Sequence, residues 1–180
     1  MESTSDPDPK RSPNDERIQE LILYVARKCE CDSKCGATKL NKILFYSDFL
    51  AYRQFGRSIT GHAYRRLSQG PVPHLMPRFQ NALIDNDDAA IQERDYFGRR
   101  QKRLIALREP DLDGISGDEI AIVDEVIGML KDMSAKEVSD LSHEFLGWQA
   151  ASDGEQIPYA TAFVFRPEVS EDIEAHAAAL

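Results

Sequence analysis

Residues 38–55 read TKLNKILFYSDFLAYRQF. Leu40, Ile43, Leu44, Phe45, Phe49, Leu50 and Tyr52 spread over more than one face of a helix. A helix this apolar must be covered on several sides, so the stretch predicts the central helix of the fold. Thr38 is a suitable N-cap, and Gly56 stands where a C-terminal cap belongs. Lys39, Lys42 and Tyr46 share one face by their i, i+3, i+7 spacing, and Asp48 lies off it.

On the N-terminal side, Asn14 or Asp15 caps a helix with the stripe Ile18, Leu21, Ile22 and Val25, which ends near Cys29. Residues 1–14, with Pro7, Pro9 and Pro13 among polar residues, read as a disordered tail. On the C-terminal side, residues 62–67 suggest a short strand. Residues 69–73 read as a loop stiffened by Pro71 and Pro73. A helix over 74–84 follows, with Pro77 in its first turn. Residues 90–97 and 101–107 read as a hairpin around Gly98-Arg99-Arg100. Leu104 and Leu107 have opposite parities, which leaves its core face open.

After a Pro/Asp/Gly linker at 109–117, Ser116 or Asp118 caps a helix carrying Ile120, Val123, Ile127 and Leu130. Ser134 and Glu137 have capping-box spacing for another helix, closed by Gly147-Trp148. A loop covers 154–159, Phe163-Val164-Phe165 forms an apolar patch, and residues 167–180 suggest a short helix. The expectation is a mainly α, single compact helical domain with a small β-hairpin or short sheet. It spans 15–165, between the tail at 1–14 and an acidic, Ala-rich segment at 166–180.

The chain has 180 residues and a net charge of −9 that is unevenly spread. Residues 39–108 hold 13 Lys/Arg against 6 Asp/Glu, and residues 109–180 hold 3 against 17. This polarity serves either contacts within the fold or steering of a charged protein partner. Overall acidity argues against general nucleic-acid binding, and no apolar run is long enough to cross a membrane. Three cysteines are too few for a disulfide scaffold, which points to a reducing cytoplasm.

Chemistry-bearing motifs are sparse. Cys29, Cys31 and Cys35 form a C-x-C-x3-C cluster, a weak candidate for a metal site with one of the four histidines as a further ligand. The common paired C-x2-C spacing is missing. No nucleophile elbow, P-loop, dinucleotide fingerprint or H-E-x-x-H motif occurs. Ser142-His143-Glu144 is not a triad, because helical neighbours point about 100° apart. His143 reads instead as a buried, hydrogen-bonded histidine beside Trp148. Arg99, Arg100, Lys102 and Arg103 form a basic hairpin tip, either a solvated loop or a contact patch.

Four segments together resemble the Panacea domain of the SocA-like antitoxin family. They are residues 38–48 (TKLNKILFYSD), residues 56–64 (GRSITGHAY), Gly70-Pro71-Val72-Pro73, and Leu141-Ser142-His143 with Gly147-Trp148 followed by Ile157-Pro158-Tyr159. The resemblance implies a mostly helical, non-enzymatic antitoxin of a bacterial or phage pair, with a cognate protein toxin as partner and no cofactor. In some members it implies delivery of the toxin to a protease. Lys39, Lys42, Tyr46, Asp48, Tyr64, Gly70, Pro71, Val72, Pro73, His143 and Trp148 carry the signature, as partner contacts or as an internal network. A reading of another class is a metal-binding sensor or hydrolase built on the cysteine loop. The oligomeric state stays open.

Overall fold

The computed structural model describes residues 11–164. The suggested helix at 167–180, the end of the apolar patch at Phe165, and most of the N-terminal tail lie outside the described residues.

Helix α1 (Asp15–Lys28) is capped by Asn14, whose side chain accepts from Arg17 N. Its acidic first turn and basic last turn complement the helix dipole. The residues just before it are not loose. Arg11 donates to Ile59 O at 2.8 Å and to Glu119 at 2.7 Å, and Asn14 N donates to Thr60 O. The tail expected over 1–14 is therefore docked onto the fold from Arg11 onward.

Helix α2 (Ala37–Phe55) is the buried centre. It ends on Gly56, whose left-handed φ of 68° a glycine adopts without a Cβ penalty. Gly36 is its N-cap and makes no side-chain cap bond, so Thr38 is the second helical residue instead of the cap. Phe45 and Phe49, with ring centroids 4.3 Å apart, meet Tyr64, Phe145 and Tyr159 in an aromatic cluster. Such edge-on and offset pairs add to the area term of burial.

Strand β1 (Tyr64–Leu67) turns through Ser68-Gln69 into β2 (Gly70–Pro73), and β5 (Gln156–Ile157) pairs on its other side, giving the order β2-β1-β5. Two expected loops are thus strands. The prolines of β2 are compatible with this because β2 is an edge, where a missing N–H breaks no ladder on the outer side.

Helix α3 (Met76–Asp85) carries Pro77 in its first turn. The hairpin β3 (Ala89–Tyr96) and β4 (Arg99–Ala106) turns on Phe97-Gly98, both at positive φ, which places Arg99 and Arg100 on the strand. Its core face is Ala89, Leu104 and Ala106, while Leu107 is exposed.

Helices α4 (Gly117–Leu130) and α5 (Ala135–His143) both start with complete capping boxes, Ser116/Glu119 and Ser134/Glu137. Helix α5 stops at His143, and a short α6 (Leu146–Ala150) follows, so Trp148 sits on a separate turn and does not end α5. A 3-10 turn (Tyr159–Phe163) brings Tyr159 onto α2. The fold is mainly α, with two small antiparallel sheets.

Candidate functional site

The signature residues do not share one groove. They divide into four local arrangements around α2.

Asp48 is fully buried and accepts four hydrogen bonds, from Ile59 N (2.8 Å), Thr60 N (2.9 Å), Thr60 Oγ1 (2.6 Å) and Tyr64 OH (2.7 Å). Burial nevertheless pushes its carboxyl up to about 6, because four donors only partly replace water. The carboxylate ties the loop after α2 and the start of β1 to the central helix.

Lys39 points the other way. Its ammonium bonds Asp32 at 2.7 Å, Lys131 O at 2.7 Å and Met133 O at 3.0 Å, so all three donors are used on the α1–α2 loop and the α4–α5 turn.

Lys42 lies one turn further on and is 1% exposed. Its ammonium donates to Pro71 O at 3.0 Å, its one hydrogen bond among the described residues. Desolvation lowers it to about 8. Among the described residues no carboxylate pairs with it. Gly70 packs directly on this side chain, with φ at 96°, and a Cβ there would collide with Ser142 Oγ and Lys42 Cε. Gly70 is therefore required both by its backbone angle and by its neighbours. Burial holds the nearby Tyr46 phenol above its ordinary range.

His143 stacks on Trp148 at 4.1 Å, and the Arg66 guanidinium also lies 4.1 Å from the Trp148 ring. The indole N–H donates to Leu67 O at 3.2 Å. His143 is half-buried, and its Nε2 has no hydrogen-bond partner among the described residues, so the expected hydrogen-bonded histidine is a stacked one.

The basic tip also divides. Arg103 is 3% exposed and donates to the carbonyls of Cys29, Glu30 and Asp32. It is a clamp on the cysteine loop and leaves the contact patch. Arg99, Arg100 and Lys102 are exposed, and among the described residues only Glu93 pairs with the last two, at 3.5 and 3.9 Å.

Cys29 and Cys35 are buried and hydrogen-bonded to each other, while Cys31 is exposed. That contact draws the Cys29 thiol down and pushes Cys35 up. Among the described residues no group of three or more His, Cys, Asp or Glu is placed to hold a metal ion. The weak metal candidate therefore has no assembled ligand set there.

Two adjoining clefts open beside these arrangements. The larger, 570 Å³, lies between the basic tip, the start of α2 and the start of α5. The smaller, 170 Å³, is bounded by Asn41, Lys42, Leu67 and Val72, and shares Thr38 and Gln69 with the larger. Sequence reasoning missed Glu119, a buried carboxylate facing Arg11 and Arg57, and Arg108, which pairs with Glu20 and Asp88. These contacts join residues about 20 to 108 apart, and no local spacing signals them.

The model of the family "Antitoxin SocA-like, Panacea domain" matches residues 40–149. No curated protein and no solved structure matches the chain. Among the described residues no helix is long and apolar enough to cross a membrane.

Proposed function

The chain belongs to the SocA-like antitoxin family with a Panacea domain, and from that premise we propose that it binds and neutralises a cognate protein toxin. What supports the reading is how the signature's polar groups are used. Asp48 and Lys39 are committed to internal bonds, and a buried, satisfied network holds helices in register without reacting. The signature thus builds a rigid scaffold, while Arg99, Arg100 and Lys102 stay exposed on its rim. A preorganised surface of this kind suits protein recognition, because little order is lost on docking. Its exposed charges favour fast association with an acidic partner, weakened by salt.

Co-expression with each adjacent open reading frame tests this. Growth rescue with a stoichiometric co-purified complex is expected. Rescue without a complex would favour delivery of the toxin to a protease. Neighbours that are not toxic would overturn the reading.

A further inference from the structure

Among the described residues Lys42 is a buried ammonium with one hydrogen bond and no carboxylate partner. A desolvated charge of this kind is costly unless an anion offsets it. Its side chain lines the 170 Å³ opening, where the Asn41 Oδ1 atom is also buried and without a partner. Two neighbouring residues of α2 thus border one small opening, one with an ammonium that has spare donors and one with an unpartnered amide oxygen.

The opening adjoins the 570 Å³ cleft, with which it shares Thr38 and Gln69 as lining. That cleft is lined by Lys34, Arg99, Arg100, Lys102 and Lys136 against a single carboxylate, Asp140, which pairs with Lys136. Helix α2 also begins here with no acidic residue in its first turn and no side-chain cap, so its free amides add positive potential.

We infer that the two adjoining clefts receive an acidic polypeptide segment, one of whose carboxylates enters the small opening and pairs with Lys42. The naming of that polypeptide as the toxin rests on the antitoxin reading; the site itself does not. A polypeptide fits better than a nucleic acid on two grounds. The lips of the small opening include Leu67 and Val72, which suit a side chain's methylenes. The net charge of −9 opposes a continuous polyanion.

The test uses the full chain, with the Lys42 side-chain resonances followed by NMR. The probes are an N-acetylated Asp-Ser repeat peptide, a Lys-Ser repeat peptide, sodium acetate and a thymidine oligonucleotide. The acidic peptide is expected to shift Lys42 saturably, and at lower concentration than acetate. Lys42→Met, and separately Arg99→Glu with Arg100→Glu, should weaken its binding about 10- to 100-fold, the worth of a bond to a charged group. The tip variants sit on exposed residues and test the cleft independently of Lys42. An unmoved Lys42 signal would overturn the inference. So would acetate or the oligonucleotide binding as tightly as the peptide, or full affinity in these variants. Growth rescue by a chain that ignores the peptide would overturn this site alone, and absent rescue with intact peptide binding would overturn only the antitoxin reading.

Discussion

Tyr64 donates its hydroxyl to Asp48 Oδ2 at 2.7 Å, joining the first residue of β1 to the middle of α2 where neither group meets water. The other three donors to Asp48 come from residues 59 and 60. One carboxylate thus fixes the loop that leads from the central helix into the sheet. Tyr64→Phe keeps the ring against Phe45 and Phe49 and removes only this donor. The expected cost near pH 7.5 is about 1–2 kcal/mol.

The pH dependence follows from Asp48 being held at about 6, above its ordinary value. A folded-state value above the unfolded one gives stability that is full below the unfolded value and lost as pH rises through about 6. Tyr64→Phe removes a donor to the ionised form and should raise Asp48 further. Urea unfolding should therefore show a smaller loss at pH 5 than at pH 7.5, and the Asp48 carboxyl carbon should titrate higher by NMR. Equal losses at both pH values would show that the hydroxyl does not act through the carboxylate.

Lys42 has the opposite sign. Its value is depressed to about 8 by burial, so between about pH 8 and 10.5 the unfolded chain holds a proton there that the folded chain has released. Stability from this group should rise as pH increases from about 8 to its ordinary value near 10.5. Lys42→Met removes the desolvation cost and keeps the volume. It should be more stable than the wild type near pH 7, on the order of 2 kcal/mol, with the gap closing towards pH 10. Melting curves of both proteins across that range check it, and a gap independent of pH would contradict it.

Arg103 and its neighbours at the tip should separate cleanly. Arg103→Met strands the carbonyls of Cys29, Glu30 and Asp32, and the expected loss is about 2–4 kcal/mol. Arg99→Ala and Arg100→Ala alter exposed side chains and should stay within about 0.5 kcal/mol. Denaturant midpoints measure all three, and a mild Arg103→Met would show that the cysteine loop holds its shape without the clamp.

That contrast also shows what the sequence can carry. The helices were legible because each has a local cause: the stripe of α1, the crowded apolar surface of α2, and the Ser134–Glu137 box of α5. Gly70–Pro73 was misread as a loop because two prolines argue against a strand unless its outer side is free, and edge position is a tertiary property. The shared face of Lys39, Lys42 and Tyr46 was real as a spacing. Their ends diverge all the same, because Lys39 finds Asp32 and the α4–α5 turn while Lys42 finds Pro71. Arg103 looked like its exposed neighbours because alternation along a strand says which residues share a face and not which face is inside.

Gly70 allows its two constraints to be measured apart. Gly70→Ala puts a Cβ on Ser142 Oγ and Lys42 Cε, and also forces an L side chain to a φ of 96°. Strain and overpacking together should cost about 2–4 kcal/mol. In Ser142→Gly the hydroxyl is gone, and with it only the bond to Ser139 O at 2.7 Å. If collision is the main cost, Gly70→Ala on that background should recover a kcal/mol or so, read as a coupling energy in a double-mutant cycle. If the backbone angle dominates, the two losses should simply add. Because Gly70 also covers Lys42, a folded Gly70→Ala chain should shift the Lys42 titration, whereas a change confined to the β1–β2 turn would leave it where it is.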